Sequence, residues 1–398
     1  MRCEMTALPL SGIVVVDLTR HRAGPVTSRL LGDWGAEIIK IEEPTDKGDS
    51  MGGARESFDY QNLHRNKKSL SVNLKTKQGQ EILQRLVCKA DIVLENFRPE
   101  VKFRLGVDYE SLKKINPRII CGSISGFGQN GPYSSRPAVD QIVQGMSGLM
   151  SVTGTQESGA LRTGVAIADI SSGMNLAQAV LLALYHREKT GEGQWVYTSL
   201  LESTLAIMDF QVARWLADGK TPELMGNDHP TLMPTGVVRT KDGEINIAAA
   251  EDEKFRKLCH LLDIEEVYLN PQYSDIYNRS KNRKQLMDEI QAVTRKFESK
   301  QLIQILNENG IPSGYIYDIA QAMSDPQIQY LKMKCSIKHP LLGDLTLVGQ
   351  PMHLSAFSDF DTVRNPAPEH GQHTENLLKN FLGFDSDEIA LFRKIEVI

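Results

Sequence analysis

The stretch "GVAIADISSG" (164–173) puts a carboxylate, Asp169, between a short apolar run and a group of small polar residues. Two roles suit an acid there. It can cap the helix that follows, by accepting from the first free N–H groups, or it can be a reactive group presented at the carboxyl end of a strand. Downstream, Met174, Ala177, Val180, Leu181 and Leu184 recur at helical spacing, Arg187 and Lys189 fall in the last turn, and Gly191 fits the stop. Ser171 and Ser172 could cap the same helix, so the position does not demand an acid. Pattern alone leaves both roles open.

The other chemistry-bearing residues sort quickly. Arg22, Lys67, Lys68, Lys75, Arg98, Arg104 and Arg136 are the kind of donors a multiply phosphorylated ligand needs, several of them just after predicted strands. Read one at a time, they are equally ordinary solvated charges. The nine histidines form no metal set. "EHGQH" (369–373) has two histidines split by a glycine and suits a loop or the start of a helix. No GxSxG elbow precedes a helix, and no serine or cysteine has a legible histidine partner. The five cysteines, Cys3, Cys88, Cys121, Cys259 and Cys335, are widely spaced and read as reduced and mostly structural.

The elements that must position these groups alternate. "IVVVDL" (13–18) reads as a buried strand, Gly24-Pro25 as a helix start, Gly35 as that helix's stop, and "EIIKIE" as a second strand. "SLSVNL" with a helix from near Thr76, "DIVLENF" with further helix, and "RIICGSISGFG" repeat the pattern, which predicts a doubly wound parallel sheet. Ligands of such sheets sit beyond the carboxyl ends of the strands. The first turn, "DLTRHRAGP", lacks GxGxxG; Glu42 imitates a ribose-binding acid, but without the glycines a dinucleotide pyrophosphate could not approach the first helix.

At 398 residues, with 41% hydrophobic residues and a net charge of −5, the chain is expected to be a soluble globular protein of two domains with no nucleic-acid partner. The longest apolar run, Ala177 to Tyr185, is short of the roughly 20 residues that span a bilayer, so no membrane helix is expected. The N-terminus lacks a secretory apolar region, which makes the cytosol the default compartment. Composition shifts at 217–236, read as a linker. Beyond it lie a hairpin turning at Asp242-Gly243, helical patterns near 251–263, 280–297 and 299–309, and strand-like "GYIYD" and "CSIKH", together a smaller α+β domain.

Several motifs in combination resemble the class III CoA-transferase (CaiB/BaiF) family, the group of formyl-CoA, carnitine and succinate–hydroxymethylglutarate CoA-transferases. They are "LSGIVVVDLTRHRAGP", "LLGDWGAEIIKIE", "LHRNKKSLSVNLKTKQG", "ADIVLENFRPEVKFRLG", "NPRIICGSISGFGQNGP", "GVAIADISSG", "REKTGEGQWV" and the closing "GQHTENLLKNFLGF", covering nearly the whole chain. The resemblance implies that Asp169 is the catalytic aspartate. Ionised at neutral pH like a free Asp (pKa ~3.9), and kept so by the field of the helix N-terminus, it would move CoA from an acyl-CoA to a free carboxylic acid through an aspartyl anhydride and an aspartyl-CoA thioester, with backbone N–H groups as the oxyanion site. The resemblance further implies that CoA lies against Arg22, Ala23, Val72, Asn73, Leu74, Lys75, Asn96, Phe97, Arg98, Arg104, Arg136, Pro137 and Asp140. Coenzyme A and acyl-CoA are then substrates, with no tightly bound cofactor and no metal.

The sequence departs from the family in two places. Glu43 stands where some members have an arginine, and no glycine run is present to cover the aspartate, though Gly226, Gly236 and Gly243 could close over an intermediate. The alternatives are an α-methylacyl-CoA racemase, which needs a histidine where Val139 stands, and a dinucleotide-dependent oxidoreductase. A CoA-binding protein without catalysis is a third, disfavoured by the retained Asp169. The implied architecture is an interlocked homodimer, each chain having a large Rossmann-like domain (1–216, completed by a return linker and C-terminal helix over 351–398) and a small domain (237–350). "MSVTGTQESGALRTGVAIAD" and "MGNDHPTLMPTG" resemble the dicarboxylate-using branch, with Arg162 either facing a distal carboxylate or at the surface.

Overall fold

The computed structural model describes residues 7–45, 53–358 and 360–398. Contacts divide the chain into two compact units, one of 1–150, 162–220 and 331–398, the other of 151–161 and 221–330.

The first unit is built on a six-stranded sheet of β1 (Val14–Asp17), β2 (Glu37–Glu42), β3 (Lys67–Ser71), β4 (Ile92–Glu95), β5 (Ile120–Ser125) and β8 (Trp195–Ser199). Its order is β3-β2-β1-β4-β5-β8, and every pairing is parallel. Strand order reverses between β1 and β4, so the predicted doubly wound sheet is present, with its crevice at the carboxyl ends of those strands. The continuous apolar runs follow from burial on both faces. Along β1, β2 and β4, Val16, Ile39 and Val93 face one core with Leu70, Phe384 and Phe392. Their neighbours Val15, Ile38 and Ile92 face the other core with Leu31, Leu176 and Val180.

The helices of this unit include α1 (Ala23–Asp33), α2 (Phe58–His64), α3 (Lys77–Lys89), α4 (Pro99–Leu105), α5 (Tyr109–Ile115), α6 (Asp140–Met146), α7 (Ile167–Thr190), α8 (Leu200–Ile207) and α9 (Phe210–Asp218). Of the predicted signals, Gly35 (φ +102°) follows α1 and Gly191, left-handed at φ +79°, ends α7. By length and composition alone α7 could cross a membrane, a property missed when only Ala177 to Tyr185 was weighed. Half of its apolar window is buried, with Leu176 and Val180 packed in the core cluster against the sheet. Gly173 lets α7 lie close against α1: a Cβ there would lie 2.6 Å from the Ala23 carbonyl oxygen.

The second unit holds β6 (Gly154–Thr155) and β7 (Gly159–Ala160), and an antiparallel sheet of β9 (Thr235–Arg239), β10 (Glu244–Ala248) and β11 (Ser313–Tyr315). The β9–β10 hairpin turns where Asp242-Gly243 predicts. The helix expected over 280–297 is interrupted at Asn282, giving Ile276–Lys281 and Arg283–Thr294. "CSIKH" forms β12 (Lys334–His339), paired with β13 (Gly343–Val348). Both belong to the first unit, not to the small domain ending at 350, because Arg65 ties Val348 (2.5 Å) to Asp33 (2.7 Å). Residues 151–161, placed by sequence in the large domain, pack instead with the second unit, where the Gly226 N–H donates to the Gly154 carbonyl at 2.8 Å.

Candidate active site

Asp169 is neither the cap of α7 nor at a strand end. The helix begins two residues earlier, at Ile167, and Asp169 lies in its first turn. The capping acid is Asp140, at the start of α6: one carboxylate oxygen accepts from the Ala168 N–H at 2.9 Å and the Asp169 N–H at 3.4 Å. Its other oxygen accepts from the Gln144 side chain at 2.7 Å, and Gln144 in turn accepts from the Thr163 N–H at 2.9 Å. Ser171 and Ser172 do not cap either; both hydroxyls bond back to the Ala168 carbonyl. Asp140, expected as a ligand contact, is buried and holds the start of the helix.

Two further expectations change with it. The N–H groups of Ile167 and Ile170 donate to the Val165 and Ala166 carbonyls, at 2.9 and 3.0 Å, and those of 168 and 169 go to Asp140. None of these four is left for an oxyanion. The helix field, already met by Asp140, does not hold Asp169 in the usual carboxylate range. Burial, and then the nearby Asp140 charge, push its carboxyl up to about 6, with Arg22 and His21 pulling the other way.

Arg22 and His21 belong to the loop between β1 and α1. Asp17 ends β1 fully buried, and its carboxylate accepts from the Thr19 N–H (3.0 Å) and hydroxyl (2.5 Å), the Ser28 hydroxyl (2.6 Å) and the Lys67 ammonium (3.1 Å). Burial opposes ionisation there, but Lys67, Lys40 and the hydroxyls outweigh it and hold the carboxyl at about 2. Gly24 lets the loop close on itself, since a Cβ would fall 2.3 Å from that of Thr19. Asn96 clasps the loop from β4, accepting from the Arg20 N–H at 3.0 Å and donating to its carbonyl at 2.8 Å. The side chain read as a ligand contact thus spends its amide on the backbone of residue 20. Neither Asp17 nor His21 carried a sequence signal; Lys67 was read only as a possible phosphate donor, and its partner lies 50 residues away.

Beyond the same loop, at the carboxyl ends of β1 to β4, a cleft of about 320 Å³ is lined by Leu18, Arg20, Ile41, Glu42, Glu43, Val72, Leu74, Lys75, Phe97, Val101, Arg104 and Leu105. Five predicted contacts, Val72, Leu74, Lys75, Phe97 and Arg104, meet there. Asn73 is adjacent but turned to structure, accepting from the Lys75 N–H at 3.1 Å. Arg22 lies outside this lining, paired with Asp59. Ala23 packs beneath α7. Arg98, Arg136 and Pro137 are exposed, with the Arg136 guanidinium 3.5 Å from the Tyr133 ring centre. Lys67 is fully buried and Lys68 pairs with Glu37 at 2.6 Å, so neither lines the cleft.

Among the described residues no group of three or more His, Cys, Asp or Glu is placed to hold a metal. His370 and His373 serve a loop, Nε2 of the first 2.9 Å from the Glu43 carbonyl and Nδ1 of the second accepting from the Ser69 N–H at 3.2 Å. Cys88, Cys121, Cys259 and Cys335 are free thiols, burial pushing Cys121 and Cys259 up to about 12; Cys3 lies outside the described residues. Gly226 and Gly236, but not Gly243, line an open pocket on the second unit.

Comparison with known proteins converges with this geometry. The model of "CoA-transferase family III" matches residues 10–374. The succinate–glutarate CoA-transferase of Agrobacterium fabrum is 35% identical over 93% of this chain and 95% of its own length. The succinyl-CoA–D-citramalate CoA-transferase of Chloroflexus aurantiacus is 33% identical over 100% of both. Among solved structures, a CaiB/BaiF family protein from Brucella suis superposes with a TM-score of 0.81 at 33% identity, over 94% of this chain and 100% of that one. With the doubly wound sheet and an aspartate opening α7, these matches establish that the chain belongs to CoA-transferase family III and is a CoA-transferase.

Proposed function

We propose that Asp169 is the nucleophile of this transferase and that the cleft beyond β1 to β4 holds the adenosine end of coenzyme A. The observation that carries the reading is the loop of residues 20–22. Arg20 lines the cleft, while His21 and Arg22 act electrostatically on Asp169. Val72, Leu74 and Phe97 supply apolar surface for the purine, and Arg20, Lys75 and Arg104 cations for phosphate.

With a carboxyl titrating at about 6, Asp169 is mostly ionised at neutral pH yet poorly solvated, which sharpens it as a nucleophile. One carboxylate oxygen adds to the thioester carbonyl, the C–S bond breaks, and CoA leaves as thiolate from a mixed aspartyl anhydride. The thiolate then attacks the Asp169 carbonyl carbon, freeing the donor acid and leaving an aspartyl-CoA thioester. The acceptor carboxylate displaces the thiolate, which returns to the acceptor's acyl carbon and regenerates Asp169. Each step exchanges one acyl bond for another, so water must be excluded throughout.

The relatives' names support succinate- and glutarate-type dicarboxylic acids as donor and acceptor. Exposed Arg162, shortly before α7, is the cation offered to the distal carboxylate. The exposed apolar side chains of α7 (Leu181, Leu182, Tyr185) and α9 (Trp215, Leu216) support an obligate homodimer. Val139, apolar and exposed, offers no second base for racemisation.

The test is to incubate the protein with succinyl-CoA, trap with hydroxylamine and map the modified peptide. An adduct on Asp169 is expected. Its absence, together with exchange of the substrate α-proton into solvent, overturns the reading. Assays pairing succinyl-CoA with glutarate and formyl-CoA with oxalate decide the acid class, and light scattering that finds an active monomer overturns the dimer.

A further inference from the structure

Resting on the assignment of the cleft to coenzyme A, we infer that Glu43 is a built-in competitor for the ligand's phosphate and so sets how loosely CoA esters are held. Glu43 places a carboxylate oxygen 3.3 Å from the Lys75 ammonium and 3.8 Å from the Arg20 guanidinium. Among the described residues these are two of the three cations lining the cleft, Arg104 being the third. The paired side chains are exposed, Glu43 at 42%, Arg20 at 45% and Lys75 at 66%, so a ligand phosphate can reach them.

The neighbouring acid shows the contrast. Glu42 also borders the cleft, but it is buried, with Arg55 at 2.5 Å and the Ser69 hydroxyl on its two oxygens, and it takes no cleft cation. Among the described residues the Glu43 carboxylate is paired only with these two exposed cations, while its backbone carbonyl lies 2.9 Å from Nε2 of His370. The acid is therefore held in place while its side chain pre-orders Lys75 and Arg20 in the geometry a phosphate would use. A bound phosphate must displace that carboxylate and then sit beside it, two like charges sharing the same cations. Affinity falls, and release of the ester speeds up. A transferase that must discharge one CoA ester and take up another gains turnover from weak holding at a group remote from the reacting carbonyl.

The experiment measures binding of adenosine 3′,5′-bisphosphate, a probe of the nucleotide end without a thioester, by calorimetry and by competition with succinyl-CoA. Glu43→Gln is expected to bind it about threefold to tenfold tighter, as when a partly exposed carboxylate stops competing for two cations. KM for the CoA ester should fall in step and kcat should not rise. Glu81→Gln removes the same charge from an exposed pair with Arg85 on α3, and no change is expected. Unchanged or weaker binding by Glu43→Gln overturns the inference while leaving the cleft assignment standing, and so does an equal gain from Glu81→Gln. A bisphosphate that binds without competing with succinyl-CoA, or does not bind, overturns both.

Discussion

Two aspartates flank the same loop and experience opposite fates. Asp17, at the end of β1, is wholly buried and titrates at about 2; Asp169, in the first turn of α7, is largely buried and titrates at about 6. Burial raises both carboxyls, so burial does not separate them. Their partners do. Asp17 is met by an ammonium and two hydroxyls within 3.1 Å, and nearly all of its acceptor capacity is spent. Asp169 faces Asp140, a like charge, and the opposing pull comes from Arg22 and His21 in the loop. The first arrangement makes a carboxylate that holds the chain together; the second leaves a carboxyl with a raised pKa, the condition the proposed nucleophile calls for.

The sharpest way to break this contrast is Asp169→Asn. Transfer and hydroxylamine-trapped adduct should fall by at least about 10³-fold, since an amide oxygen is no nucleophile here. The fold should gain stability. A raised folded pKa means ionised Asp169 costs stability above about pH 6 and nothing below pH 3.8, where both states are protonated. The variant is therefore expected to be more stable at pH 7 by about 1–2 kcal/mol, measured by chemical denaturation. A loss of stability would show that Asp169 is another structural acid.

Lys67→Met tests the other side. It strands a buried carboxylate, and destabilisation of about 3–5 kcal/mol is expected at pH 7. The sign with pH is the reverse of that for Asp169. The depressed pKa of Asp17 stabilises above about pH 4, and that contribution fades as pH falls towards 2. Pairing Lys67→Met with Asp17→Asn should recover at least half of the loss; no recovery would mean that the pair is not the source of the loop's order.

Smaller effects sharpen the comparison. In the wild type kcat/KM should rise with pH through about 6 as Asp169 ionises. Asp140→Asn keeps an oxygen to accept from the Ala168 and Asp169 N–H groups but removes the like charge. The acid limb should move to lower pH, raising relative activity at pH 5 by no more than about fivefold. An unmoved limb would leave burial as the whole cause. Least affected should be Arg136→Ala, which gives up an exposed stacking contact with Tyr133 and is expected to raise KM by about two- to threefold.

Much of this was legible in the chain. Alternating apolar runs and helical spacings gave the parallel sheet, because burial of strands on both faces leaves a continuous apolar signature in sequence. Motif resemblance singled out Asp169, and five of the residues it tied to CoA line one cleft. Less legible were polar groups whose partners are distant in the chain. Asp140 was read as a ligand contact and caps a helix 28 residues on. Asn96 was read the same way and grips the backbone of residue 20, 76 positions earlier. An amide or carboxylate looks identical in sequence whether it faces a ligand or an N–H group.

The sequence by itself therefore determined the fold class, the family and the acid at the opening of α7, because those depend on local periodicity and on residue types in fixed short motifs. Only the tertiary structure decided what each acid does. Asp17, Glu42, Glu43, Asp140 and Asp169 differ in the cations, hydroxyls and N–H groups that folding brings within a few ångströms of them. Charge interactions at that range, in a partly dry interior, set whether a carboxylate ties a loop, caps a helix or keeps a raised pKa.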